Sequence, residues 1–316
     1  MPGIDSMAIA FRATLLLATA TLLGGCDTGP TAEEFLAKAQ AAIAANDTSA
    51  AVVELKNTLQ VDPKNADARW LLGDIYMKSS QGAAALKEFE RAQALGIKSD
   101  KLVVAMLRAR LLQGQFQEVL KELPKASVTS KTDVLLVIRG DAQLGLQEFD
   151  KAESSFEAAL KDNPKSAGAH LGWARIALSK RDTDKALTHL NSVITDHPEE
   201  LQARMLLGEA HLISADFQAA EEAFNSARKL TNNGPGATLG LARALVAQKR
   251  AEEAQPHLEG LHKASPTNPL VNYLRAVVAQ HLKDVDGTLE ALREVLRIAP
   301  NHAQSLLMMG ALSFDR

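Results

Sequence analysis

Apolar and small residues recur at helical spacing through residues 66–100, where WLLGDIY (70–76) is followed nine residues later by ALKEFERA (85–92). Counted from Ala66 as position 1, Leu72 stands at 7, Gly73 at 8, Tyr76 at 11, Ala85 at 20, Phe89 at 24 and Ala92 at 27. The spacing predicts two antiparallel helices in one unit. Gly and Ala at the small positions let the helices cross closely, and Leu72, Tyr76 and Phe89 fill the space between them.

The same frame repeats along the chain. A weaker unit opens at Ala32, with Ala39, Ala51, Leu55 and Pro63 in register, behind Thr31 as N-cap and Glu33 and Glu34 in the first turn. After the unit at Ala66, a third starts at Asp100 with Met106, Gly114, Val119 and Leu123, and is one residue short. Further units start at Asp133, Ala167, Leu201, Pro235 and Pro269, and Ala303 begins a ninth of which the sequence holds one helix. Pro63, Pro164, Pro198, Pro266 and Pro300 all fall at position 32, where proline ends the second helix. Pro256 falls inside a predicted second helix and is expected to bend it or shift its start, and Pro124 falls near the end of the short third unit.

This pattern resembles the tetratricopeptide (TPR) repeat, a helix-turn-helix unit of about 34 residues. The resemblance implies an all-α solenoid of stacked repeats wound as a right-handed superhelix, with eight repeats and the first helix of a ninth over residues 31–316. A stack needs a polar outer face on its last helix. SLLMMGALSF (305–314) is expected to leave Leu306, Met309, Leu312 and Phe314 without a second helix above them. The expectation is that the protein continues past Arg316 or that another chain covers this end.

The first thirty residues break the pattern. Arg12 precedes an uncharged run of Ala, Leu and Thr over residues 13–23, too short for a membrane-crossing helix, which takes about 20 residues. Residues 1–25 read as a signal peptide, with Asp5 unusual in its leading segment and Met7 an alternative start. LGGC (23–26) resembles the lipobox of bacterial lipoproteins, so Cys26 is the expected lipidation site. The plainer alternative is a free thiol beside an ordinary cleavage site. Cys26 is the only cysteine, which excludes an intramolecular disulfide. Acyl chains on Cys26 would anchor the protein stably. Residues 27–30 then form a tether of about 15 Å at most, placing the first helix close to the lipid. Asp27 resembles the signal that keeps some lipoproteins in the inner membrane.

Composition narrows the functional classes. A hydrophobic content of 46 % with only 4 % aromatics suits helices packed through Ala and Leu rather than a β-rich fold. A net charge of −3 argues against nucleic acid as partner. There is no phosphate loop, HExxH or GxSxG motif, and the eight histidines are scattered, so neither an enzyme, a cofactor nor a metal site is expected.

What remains is surface. In TPR superhelices the first helix of each unit lines a concave groove through positions 2, 5, 9 and 12. Position 5 here carries Leu36, Trp70, Val104, Val137, Leu171, Met205, Leu239, Tyr273 and Leu307, all apolar. Position 12 carries Ile43, Met77, Leu111, Leu144, Leu178, Leu212 and Val246, and position 9 carries Gln40, Asp74, Arg108, Asp141, Arg175, Glu209 and Arg243. One reading makes this groove the site of a protein or peptide ligand, with the charges setting register. The other has the apolar rows packing neighbouring repeats while the charges pair with one another. Trp70, Asp74, Met77, Arg108, Asp141, Arg175, Met205, Glu209, Arg243 and Tyr273 are the candidate partner-binding residues, with Trp70 and Tyr273 foremost because aromatics dominate contact energies.

Residues 33–76, LLQGQFQEVLKEL (111–123) and ASPTNPLVNYLRAVVA (264–279) are similar to the PEP-CTERM system TPR-repeat lipoproteins of the PrsT type. Members of that family are longer and occur in Gram-negative bacteria beside exosortase and exopolysaccharide genes. The resemblance implies a periplasmic, membrane-tethered scaffold that binds protein partners in envelope sorting or polysaccharide export. Two alternatives stay open: a fixed component of a polysaccharide export complex, and the targeting region of an enzyme whose catalytic domain lies beyond residue 316.

Overall fold

The computed structural model describes residues 29–126 and 132–314, and among these it contains seventeen α-helices and no strand. The expected signal peptide and the lipidation site at Cys26 lie outside the described residues. The chain divides into two compact units between Gln113 and Gly114. In the first lie α1 (Ala32–Ala44), α2 (Thr48–Val61), α3 (Ala66–Lys78), α4 (Gly82–Ala94) and α5 (Asp100–Leu112). The second begins with α6 (Phe116–Glu122), α7 (Thr132–Gly145) and α8 (Phe149–Asp162). It continues with α9 (Ala167–Ser179), α10 (Thr183–Asp196), α11 (Leu201–Ile213), α12 (Phe217–Leu230) and α13 (Pro235–Ala247). It closes with α14 (Ala251–Ala264), α15 (Pro269–His281), α16 (Val285–Ile298) and α17 (Ala303–Phe314). Each unit is a run of antiparallel helix pairs, the arrangement of a helical-repeat solenoid. The division falls inside the predicted third repeat, whose two helices are α5 and α6.

The turn inside each pair has one form. Asn46, Ser80, Gln147, Arg181, Ala215, Lys249 and Lys283 all adopt φ between 56° and 61°, one per repeat at position 15, and Gly114 takes that position at φ 70°. The following amide reaches back over five residues, as in Gln81 N–H to Tyr76 O (2.8 Å) and Asp216 N–H to His211 O (2.9 Å). That bond satisfies a carbonyl at the end of the first helix. Asp47, Asp182, Asp216 and Asp284 then cap the second helix through their carboxylates. Thr31 and Glu34 form the expected capping box on α1, with Glu34 N–H donating to Thr31 Oγ1 (3.2 Å) and Thr31 N–H to Glu34 Oε2 (3.0 Å).

The small positions act as predicted. Phe89, Phe156 and Phe224, at position 24, are fully buried. Phe156 lies between Gly140 of its own pair and Gly172 of the next, and Phe224 lies likewise between Gly208 and Gly240. A Cβ on any of these four glycines would approach the ring to 2.3–2.5 Å, so the ring occupies the side-chain space of both neighbours. Each such ring joins two first helices across one second helix.

Two expectations are narrowed. Pro256 is the sixth residue of α14, which starts at Ala251 and continues to Ala264, so the proline does not shift its start. A proline this near the N-terminus removes one intrahelical bond and leaves the rest of the ladder intact. At α17, Leu306 (48 %) and Leu307 (75 %) are exposed, whereas Met309 and Leu312 pack with Met308 against the Ala276, Ala291 and Leu292 cluster. The side chain of Phe314 lies outside what is described.

Candidate functional site

In the second unit, first helices of successive pairs touch one another: α7 meets α9, α9 meets α11, α11 meets α13 and α13 meets α15. The first-helix face is therefore a continuous surface there, and its rows can be followed from helix to helix. Along position 5, Val137 and Leu171 are buried, Met205, Leu239 and Tyr273 are half-buried, and Leu307 is largely exposed. Met205, Leu212, Leu239 and Val246 pack with one side against the cluster around Phe224, Leu241 and Leu258. These rows thus pack repeats together while leaving part of the Met205, Leu239 and Tyr273 side chains accessible.

Position 9 is a ladder. Arg175 on α9 pairs with Asp141 on α7, and Arg243 on α13 pairs with Glu209 on α11, each across one repeat of 34 residues. Arg175 also donates from Nε to Leu171 O (3.4 Å). Both pairs are partly exposed, so each adds no more than about 1 kcal/mol. Their effect is on character: four charges cancel in two pairs and leave an apolar, electrically balanced strip. Tyr273, further along, packs against His302 with centroids 5.1 Å apart.

In the first unit, Trp70 stands half-buried against Phe89, centroids 5.3 Å apart, in the cluster that also holds Met77, Ala105 and Met106. Asp74 does not reach toward the next repeat's position 9 but pairs with Lys78 one turn on (3.0 Å). Arg108 is exposed and makes no ion pair among the described residues.

A polar arrangement at position 4 was not foreseen. Arg69, His170, Arg204 and Asn272 each direct a side-chain nitrogen to the carbonyl of the proline six residues before: Pro63 (3.2 Å), Pro164 (3.1 Å), Pro198 (2.9 Å from Nε) and Pro266 (2.9 Å). The proline turn between pairs is thereby tied to the following first helix. Position 4 also reaches position 23 on the second helix. Arg69 Nη1 holds the buried carboxylate of Glu88 at 2.7 Å, and Arg91 grips its other oxygen at 2.9 Å.

In the fifth repeat the corresponding residues are His170 and His189, whose Nδ1 atoms lie 2.9 Å apart. His170 Nε2–H donates to Pro164 O, so its Nδ1 is the atom that shares a proton with His189 Nδ1. His189 stacks on Trp173, and Lys185 Nζ lies 4.0 Å from the Trp173 ring centroid. Burial, then the neighbouring His170 and Lys185, push His189 down to about 4. Histidines dispersed in sequence are thus brought together by the antiparallel pairing of α9 and α10. On α14, His262 Nδ1 meets Asn272 Oδ1 at 2.8 Å, and burial, then the nearby Arg228, lowers His257.

Among the described residues no group of three or more His, Cys, Asp or Glu side chains is placed to hold a metal ion, and no helix is long and apolar enough to cross a membrane.

Two family models, both described as tetratricopeptide repeat, match the chain, one at residues 139–193 and 171–235 and the other at 42–111 and 211–278. Together they span about two-thirds of its length. Among solved structures, the chain is similar to PilF of Pseudomonas aeruginosa, at 17 % identity and TM-score 0.59, over 67 % of this chain and 96 % of that one. It is also similar to yeast Tom70, at 16 % identity and TM-score 0.56, over 92 % and 66 % respectively. A third likeness is to YrrB, a TPR protein with an unusual peptide-binding site, at 16 % identity and TM-score 0.50, over 62 % and 97 %. At these identities the likenesses show the fold.

Proposed function

The chain belongs to the tetratricopeptide repeat family, a scaffold for protein–protein interaction, and from that premise we propose that its first-helix face binds a protein or peptide partner. The observation that carries this reading is the position-5 row of the second unit, where Met205, Leu239 and Tyr273 lie side by side on touching helices and stay half exposed. A contiguous row of part-exposed apolar side chains, unlike a single one, marks an interaction surface. The peptide-binding site named for YrrB supports the reading by analogy of fold. Because the position-9 charges cancel, the segment best suited to this strip is apolar and uncharged. On the first unit, Trp70, Asp74, Met77 and Arg108 form a candidate surface of their own.

We further propose that the mature protein begins at Cys26, carries acyl chains there and is held at the periplasmic side of a bacterial membrane, the inner one favoured by Asp27. The similarity to PEP-CTERM system lipoproteins supports a role in envelope sorting or exopolysaccharide export. Both parts are tested in the native host. Cys26→Ser should release the protein from membranes and abolish incorporation of labelled fatty acid. Met205→Ala with Tyr273→Ala should lower partner recovery after crosslinking while leaving anchoring intact. Unchanged recovery in that double variant would refute the groove.

A further inference from the structure

A second site lies away from the first-helix face, in a cavity of about 170 Å³ walled by α14, α15 and α16. It exists because the eighth repeat departs from the pattern of its neighbours. Position 7 is apolar in Leu72, Met106, Trp173, Leu207 and Leu241, but here it is Arg275, drawn in to 18 % side-chain exposure, whereas the other charged residues at this position, Lys38 and Arg139, are exposed. Ala279 and Gly287 stand beside it and contribute almost no bulk. Local departures of this kind in an otherwise regular repeat are where function is expected.

The lining has two parts. Leu258, Val278 and Leu282 give an apolar floor, and Gln255, Glu259, Asp284 and Glu290 form the polar wall with Arg275. Arg275 pairs with Glu259, Nε to Oε1 at 2.9 Å and Nη2 to Oε2 at 3.5 Å. Asp284 Oδ1 accepts from Gly287 N–H at 2.9 Å and makes no ion pair among the described residues. Glu290 and Gln255 make no hydrogen bond or ion pair among the described residues. One of the three carboxylates is therefore ion-paired and two are not.

We propose that this cavity receives one basic side chain, lysine or arginine, from a partner protein. The volume is below the roughly 300–1,000 Å³ of sites for drug-sized ligands and suits a single side chain. The apolar floor takes the methylene stem, and Asp284 and Glu290 take the charged head. The inference does not depend on the first-helix face binding anything.

The test uses the whole chain and N-acetyl-lysine methylamide as probe, followed by ¹⁵N NMR at the Gly287 amide and the Arg275 Nε–H. Saturable shifts at both are expected, with none from the uncharged norleucine analogue. Glu290→Gln should weaken binding by about fivefold or more. Ala279→Met, which fills the cavity without changing charge, should abolish it, with circular dichroism confirming retained helix. Absent saturation, equal shifts from the norleucine analogue, or undiminished binding in both variants would overturn the proposal.

Discussion

The ring of Phe224 fills the space that a side chain on Gly240 would need: a Cβ there would sit 2.3 Å from Cδ1 of the phenylalanine. Since Phe224 is fully buried, the ring cannot swing aside. Gly240→Ala should destabilise the second unit by about 1–3 kcal/mol through overpacking. Leucine occupies the same position as Leu190 and Leu258 in the flanking repeats. Phe224→Leu should therefore suppress much of the Gly240→Ala defect, giving non-additive urea midpoints. Additive losses would show that the two residues do not compete for one space.

Ala215 holds φ 59° at the turn between α11 and α12. An alanine there bears the steric cost of a left-handed backbone without a polar side chain to offset it. Ala215→Gly should raise stability by up to about 1 kcal/mol, the gain being limited by the greater freedom of glycine in the unfolded chain. The reverse change at the equivalent Gly114, φ 70°, should lower it. Thermal midpoints of the two variants moving in the same direction would contradict this.

His189 links stability to pH. Its folded value of about 4 lies below the ordinary 6.5, so between these the unfolded chain takes up a proton that the folded chain refuses. The contribution is complete above about pH 6.5 and is lost as pH falls toward 4. The groups facing it are His170 and Lys185, with the uncharged Trp173 ring stacked on its face. Urea midpoints measured at pH 7.5 and pH 5 should fall further in the wild type than in His189→Gln. An equal fall in both would show that His189 does not resist protonation.

The repeat architecture was legible because glycine, alanine and phenylalanine at positions 8, 20 and 24 are dictated by how closely two helices approach, and closeness is a property of local sequence. The pairing of Asp141 with Arg175 and of Glu209 with Arg243 was legible for the same reason, as alternating charge at one position of a fixed period. Asp74 broke that pattern because Lys78 offers a partner within its own helix. The His170–His189 pair was hidden because its members lie 19 residues apart on antiparallel helices, and only comparison with Arg69 and Glu88 at equivalent positions would have joined them. The proline-carbonyl contacts were hidden too, since Arg, His and Asn at position 4 share no chemical class beyond an N–H donor.

The most direct test of the first-helix face as the binding surface is site-specific photo-crosslinking within intact cells. A photoreactive residue at Leu239, on α13, is compared with one at the exposed Glu222, on α12 of the same unit. A discrete adduct from Leu239, lost on Tyr273→Ala and absent from Glu222, is the predicted result. Adducts from Glu222 alone, or equal adducts from both that Tyr273→Ala leaves intact, would contradict it.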